Sequence, residues 1–198
     1  MKNLFLLLFM ALSASLFAQE FEKDNQDYRD EINKEFADPS LSPLTKEDLV
    51  NFTALEFFPI DSSYKVRAQF SLYSNPILFR MPTSTDRMPL YSKYGELTFK
   101  INGKELTLQV FQNQELIKRE GYEDYLFVPF ADLTNGGETY GGGRYLDFHI
   151  PKSDEVYIDF NKAYNPYCAY SDRYSCPKVP DENYLDVLVE AGVLKWDH

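Results

Sequence analysis

Asn102-Gly103 stands between two alternating runs: Leu97, Phe99 and Ile101 before it, Leu106, Leu108 and Val110 after it. Both central residues of a two-residue hairpin turn must reach positive φ, which Asn and Gly do at little cost. The segment therefore reads as a β-hairpin with one buried face, and that fixes the class of fold around it. The same period of two recurs in Tyr64, Val66, Ala68, Phe70 and Leu72, alternating with Lys65, Arg67, Gln69 and Ser71. Further strands are predicted at Ile77 to Arg80, Tyr125 to Phe130, Tyr145 to Ile150 and Val156 to Phe160. Leu185, Val187 and Val189 read as a last strand, with a short helix as the competitor. Many short strands separated by turns predict a mainly β chain, a single-domain antiparallel β-sandwich or barrel-like sheet.

The period differs ahead of these strands. Phe21, Tyr28, Ile32 and Phe36 are spaced by 7, 4 and 4 residues, which is one stripe of an amphipathic helix ending before Pro39. Between Glu20 and Asp38 eight acidic residues face three basic ones, a charge run read as the solvated side of that helix. Thr45-x-x-Asp48 resembles a capping box and predicts a second, short helix. The organisation predicted is a helical segment over 20–52 and a β-rich body over 53–198.

Residues 1–18 have a different character. Lys2 is followed by an apolar run from Leu4 to Leu12, small residues, and Ala18 just before Gln19-Glu20. This is the plan of a secretory signal peptide cut after Ala18, with Ser15 as the alternative site. The run is shorter than the roughly 20 residues that a membrane-spanning helix needs. No Cys lies at the cut, so a lipoprotein is not expected. The expected location is periplasmic or extracellular, with no membrane-spanning segment left after signal removal.

Charge and aromaticity narrow the function classes. With 31 acidic and 20 basic residues the chain carries −11, which argues against binding nucleic acid or an anionic membrane surface. Aromatic residues make up 16% of it, far too many for a disordered acidic tail.

Several blocks together resemble the DUF1684 family of bacterial and archaeal proteins of unknown function. They are Pro129-Phe130-Ala131-Asp132-Leu133-Thr134, Thr139-Tyr140-Gly141-Gly142-Gly143-Arg144-Tyr145 and Asn161-Lys162-Ala163-Tyr164-Asn165-Pro166-Tyr167-Cys168. The resemblance covers nearly all of the chain after residue 18 and implies a shared fold and shared site positions, without an activity.

The loop from Asn135 to Arg144 holds five of the nine glycines, which lets backbone N–H groups turn toward a ligand. Arg144 adds a planar fork for a carboxylate or phosphate. The candidate ligand-binding residues are Thr139, Tyr140, Gly143, Arg144 and Tyr145, joined by Asn161, Tyr164 and Asn165. The competing reading is a plain turn, with Arg144 paired to Asp147, Asp159 or another acid. Cys168 and Cys176, in an exported protein, read as a disulfide, and no metal or cofactor is expected. His149 is a lone strand histidine, and no serine-hydrolase elbow is present. The preferred function is a noncatalytic binding module for a small anionic or polar ligand. An enzyme acting on a small anionic or carbohydrate substrate and a structural or assembly partner are the alternatives.

Overall fold

The computed structural model describes residues 2–197, with side chains from residue 17 onward, so most of the predicted signal segment and His198 lie outside the described side chains. The helices are α1 (Lys2–Ala37) and α2 (Lys46–Asn51). The strands are β1 (Lys65–Arg80), β2 (Leu90–Ile101), β3 (Lys104–Asn113), β4 (Tyr125–Asp132), β5 (Arg144–His149), β6 (Glu155–Asp159) and β7 (Tyr184–Leu185). The main sheet runs β5-β4-β3-β2-β1-β6, all antiparallel, and β7 adds to β4 in parallel. Among the described residues no helix is long and apolar enough to cross a membrane.

The chain is mainly β, and its sheet curls. β5 and β6 are the two edges, yet the segment after β6 crosses over to β5. Tyr145 N–H donates to Tyr164 O at 2.9 Å, and Tyr164 N–H returns a bond to Tyr145 O at 3.0 Å. This bridge draws the open edges toward each other and makes a half-barrel. Leu97, Leu108, Val110, Leu126, Phe130 and Phe160 fill its interior, each at 0% exposure.

The hairpin forms where the sequence places it, with Asn102 at φ 51° and Gly103 at φ 79°. Gly103→Ala is expected to cost about 1 kcal/mol in denaturant titration, because its φ lies where a Cβ is strained. The two strands predicted at Tyr64 to Leu72 and Ile77 to Arg80 are one strand. β1 continues through a break in register between Leu72 and Ile77. Pro76, which lacks an N–H, falls inside that break, where no ladder bond is lost.

The predicted last strand needs a larger correction. Only Tyr184–Leu185 pairs, because Val187 N–H turns back to Leu185 O at 2.8 Å. Val189 is still fully buried. Side chains hold it rather than a ladder: its N–H donates to Asp132 Oδ1 at 3.2 Å and its O accepts from Arg144 at 2.8 Å.

Thr45 is the N-cap of α2: its Oγ1 accepts from Asp48 N–H at 3.1 Å and donates to Asp48 Oδ2 at 2.6 Å. Helix α1 is fastened to the body by residues hidden within its charge run. Asn25 Nδ2 donates to Asp159 Oδ2 at 3.1 Å, Arg29 to Phe58 O at 2.7 Å, and Asn33 Oδ1 accepts from Leu55 N–H at 2.7 Å. Tyr28 donates its hydroxyl to Lys162 O at 2.9 Å. Phe36, 2% exposed, packs edge-on to Tyr170 with ring centroids 4.8 Å apart.

Candidate functional site

Strand parity decides which side chains can share a site. On β4 and β5 the even positions Leu126, Val128, Phe130 and Leu146 enter the half-barrel. The odd positions Tyr125, Phe127, Tyr145 and Asp147 face the other way, and the register pairs Phe127 with Asp147 and Pro129 with Tyr145. Against this odd face lies α1, and the space between them is a cavity of about 540 Å³. Its walls include Tyr28, Glu31, Glu35 and Phe36 from the helix, and Tyr91, Tyr125, Phe127, Tyr145 and Asp147 from the strands. The segment from Tyr164 to Pro177 closes it with Tyr164, Asn165, Tyr167, Tyr170, Tyr174 and Cys176.

The rings are set edge to face. Phe127 and Tyr145 have centroids 4.7 Å apart at 79°, and Tyr145 and Tyr164 5.9 Å apart at 88°. Asp147 Oδ1 accepts from the Tyr125 hydroxyl at 2.6 Å and from the Tyr164 hydroxyl at 2.5 Å. Burial, followed by the Asp147 charge, pushes both phenols above their ordinary range, so they remain donors to the carboxylate. Tyr145 donates its hydroxyl to Pro177 O.

Of the eight predicted ligand-binding residues, Tyr145, Tyr164 and Asn165 line this cavity. The others serve the scaffold around it. The sequence reading places an anion-binding corner at Arg144, but its even position turns it into the interior at 0% exposure. Its anion is internal: Nη2 lies 2.8 Å from Asp132 Oδ2, and the guanidinium also donates to Val189 O at 2.8 Å and to Ala191 O. The Phe130 ring lies under it at 5.2 Å. Burial pulls its pKa down and Asp132 holds it up.

Thr139 is buried against Thr134, hydroxyl to hydroxyl at 2.8 Å. Asn161 clamps the backbone of Asp61 from both sides, accepting its N–H at 2.9 Å and donating to its O at 2.9 Å. Gly143, at φ 87°, sits so close to its surroundings that a Cβ would lie 2.6 Å from Phe130 O and 2.5 Å from Val179 Cγ2. Here the glycine is needed for the turn and for close packing. His149 is at the surface, its Nδ1 3.1 Å from Asp124 Oδ1, and lies outside the cavity lining.

Cys168 and Cys176 carry free thiols in this structure. They are neighbours: Cys168 N–H donates to Cys176 Sγ at 3.2 Å. A hydrogen bond from the Cys176 thiol holds the Cys168 thiol down to about 6, and the same bond keeps Cys176 protonated. Burial and the neighbouring Cys168 push the Tyr140 phenol up to about 12, with its oxygen 3.9 Å from that sulfur. A lowered pKa means that the thiolate persists as pH falls and is lost only through the lowered value. Alkylation of Cys168 by iodoacetamide in the reduced protein should therefore fall to half near pH 6, where an ordinary cysteine is already unreactive. A midpoint near the ordinary cysteine value would show that Cys176 does not donate to it.

Among the described residues no group of three or more His, Cys, Asp or Glu side chains is placed to hold a metal ion. The cavity residues that sequence reasoning missed are mainly those of α1 and the odd face of β4 and β5. The helix stripe of Tyr28, Ile32 and Phe36 was their signal, and it names no partner.

Residues 50–194 match the family model described as "Protein of unknown function (DUF1684)". The chain is also similar to an uncharacterized protein of Haloarcula marismortui solved by solution NMR. The two are 35% identical, with a TM-score of 0.69 over 89% of this chain and 95% of that one. No curated protein matches. The matched residues 50–194 supply the strand side of the cavity, while Tyr28, Glu31, Glu35 and Phe36 precede them. On the extent of the family match and on this likeness, the chain belongs to the DUF1684 family.

Proposed function

We propose that this is an exported, noncatalytic binding protein that takes a small polar organic molecule in the tyrosine-rich cavity between α1 and the β4–β5 face. The observation that carries this reading is the lining itself. At about 540 Å³ it falls in the range of small-molecule sites, and it is walled mainly by rings with a few convergent polar groups. His149, Arg144 and Asn161, the residues that would favour an enzyme, are absent from that lining. Export rests on the leader-like residues 1–18. In that compartment the neighbouring thiols of Cys168 and Cys176 would close to a disulfide with loss of two hydrogens to a disulfide-exchange oxidant, which mass analysis without reductant detects.

The test uses the chain from Gln19 onward and a panel of polar metabolites, read by thermal melting. A ligand that binds only the native state at a hundredfold excess over its Kd adds about 2.7 kcal/mol of stability. Leu116→Trp, which places a large ring in the cavity wall, should abolish the shift without lowering the unliganded melting temperature. A panel that includes organic cations, anions and neutral compounds and shifts nothing would overturn the binding reading. One observation favours a catalytic reading: Asp147 holds two tyrosine hydroxyls and could handle a proton. Conversion of a bound compound, followed by chromatography, would replace binding with catalysis.

A further inference from the structure

Resting on the binding reading above, we infer that the ligand of the tyrosine-lined cavity is an organic ammonium ion carrying an apolar body. Charge is the first ground. Glu31 and Glu35 stand on the helix side and Asp147 on the strand side, and none of the lining residues is Lys, Arg or His. The cations nearby are engaged elsewhere: Lys162 with Asp24 at 2.8 Å, and Arg173 with Ser42 O at 2.7 Å.

Hydrogen bonding is the second ground, and it is independent of charge. Four of the lining hydroxyls donate within the protein: Tyr125 and Tyr164 to Asp147, Tyr145 to Pro177 O, and Tyr28 to Lys162 O. Acceptors are left over. Asn165 lines the cavity at 1% exposure, and its Oδ1 has no hydrogen-bond partner. Asp147 Oδ2 accepts no bond among the described residues, since both phenols go to Oδ1. Asn165 Oδ1, buried without a donor, is costly until one arrives, whereas the exposed Asp147 Oδ2 can exchange water for a ligand N–H. A ligand that brings N–H donors meets these acceptors, whereas a carboxylate or phosphate would face three carboxylates and no cationic side chain in the lining.

The rings supply the third ground. The faces of aromatic rings are negative and attract a cation within about 6 Å, and ammonium groups are held this way in aromatic cages. The edge-to-face corner of Phe127, Tyr145 and Tyr164 presents such faces. The same rings cover an apolar body.

Three probes with one aromatic body and different charge test the inference: phenethylammonium, 2-phenylethanol and 3-phenylpropionate, each titrated calorimetrically. The ammonium should bind, the alcohol roughly tenfold or more weakly, and the carboxylate not at all. Asp147→Asn should weaken the ammonium roughly tenfold and leave the alcohol unchanged. If that variant does not fold, Glu31→Gln with Glu35→Gln, on the exposed helix side, should weaken the ammonium and flatten its salt dependence. An alcohol or carboxylate that binds as tightly as the ammonium overturns the cation while leaving the cavity a ligand site. The cation is overturned in the same way if none of the three binds while members of the metabolite panel do. Failure of both series removes the binding reading as well.

Discussion

Arg144→Ala should destabilise the fold by about 3–5 kcal/mol, the typical consequence of removing one member of a buried ion pair. Arg144 and Asp132 are both at 0% side-chain exposure, and Asp132 is tied on every side. Its Oδ2 takes the guanidinium, while Oδ1 accepts Thr134 N–H at 2.9 Å and Val189 N–H at 3.2 Å. Without Arg144 the carboxylate would stay buried and uncompensated, and the carbonyls of Val189 and Ala191 would lose their donor. Asp132→Ala should cost a similar amount. Arg144→Lys should recover little, because an ammonium cannot reach Asp132, Val189 O and Ala191 O together in the flat fork geometry. Replacing both, as Arg144→Met with Asp132→Leu, should cost clearly less than the two single changes summed. Urea titration reads all of these. A loss below about 1 kcal/mol for Arg144→Ala would mean that the pair carries little of the fold.

Phe36→Ala is the second change with a large expected effect, about 3–5 kcal/mol for truncating a buried aromatic. Phe36 packs on Tyr170, and Phe52 and Tyr167 lie at 6.1 and 6.4 Å. It is also part of the cavity wall. The variant should therefore lose two things together: global stability in denaturant, and slow hydrogen exchange of the α1 amides between residues 25 and 36. A change to Leu should restore most of the stability. If Phe36→Ala left exchange in α1 untouched, the polar ties of Asn25, Arg29 and Asn33 would be sufficient to dock the helix.

What the sequence made legible is what neighbours in the chain decide. Asn102-Gly103 needs only its own two φ angles and the alternation beside it, and it formed as expected. Thr45 and Asp48 are three apart, and Thr45 caps the helix through Asp48 N–H. Val187 and Val189 show the limit of periodicity, because one backbone bond from Val187 to Leu185 cancels a strand that alternation suggests. Arg144 and Tyr145 show a constraint that was available and decisive. Adjacent strand residues point to opposite faces, so these two could not both line one site. Tyr145 took the cavity and Arg144 the interior. The acid that neutralises Arg144 was beyond such reasoning. Asp147 and Asp159 are nearer or as plausible by spacing, but Asp147 is odd like Tyr145, and Asp159 caps Asn161 N–H at 3.1 Å. The helix stripe was equally clear and equally mute, since Tyr28 reaches its acceptor Lys162 O across 134 positions of sequence.

That separation has a consequence for the order in which the molecule comes into being. The cavity's walls are drawn from opposite ends of the polypeptide, Tyr28 to Phe36 on one side and Tyr164 to Pro177 on the other. A chain that is synthesised, or threaded through a channel, from its N-terminus offers the helix long before the surface that receives it. Until the C-terminal part follows, Tyr28 lacks its Lys162 acceptor and Phe36 its Tyr170 partner, and a helix in a protein owes most of its stability to packing its apolar face. The cavity is thus among the last features to appear. A nascent chain that stops before Tyr164 lacks one wall of the cavity altogether.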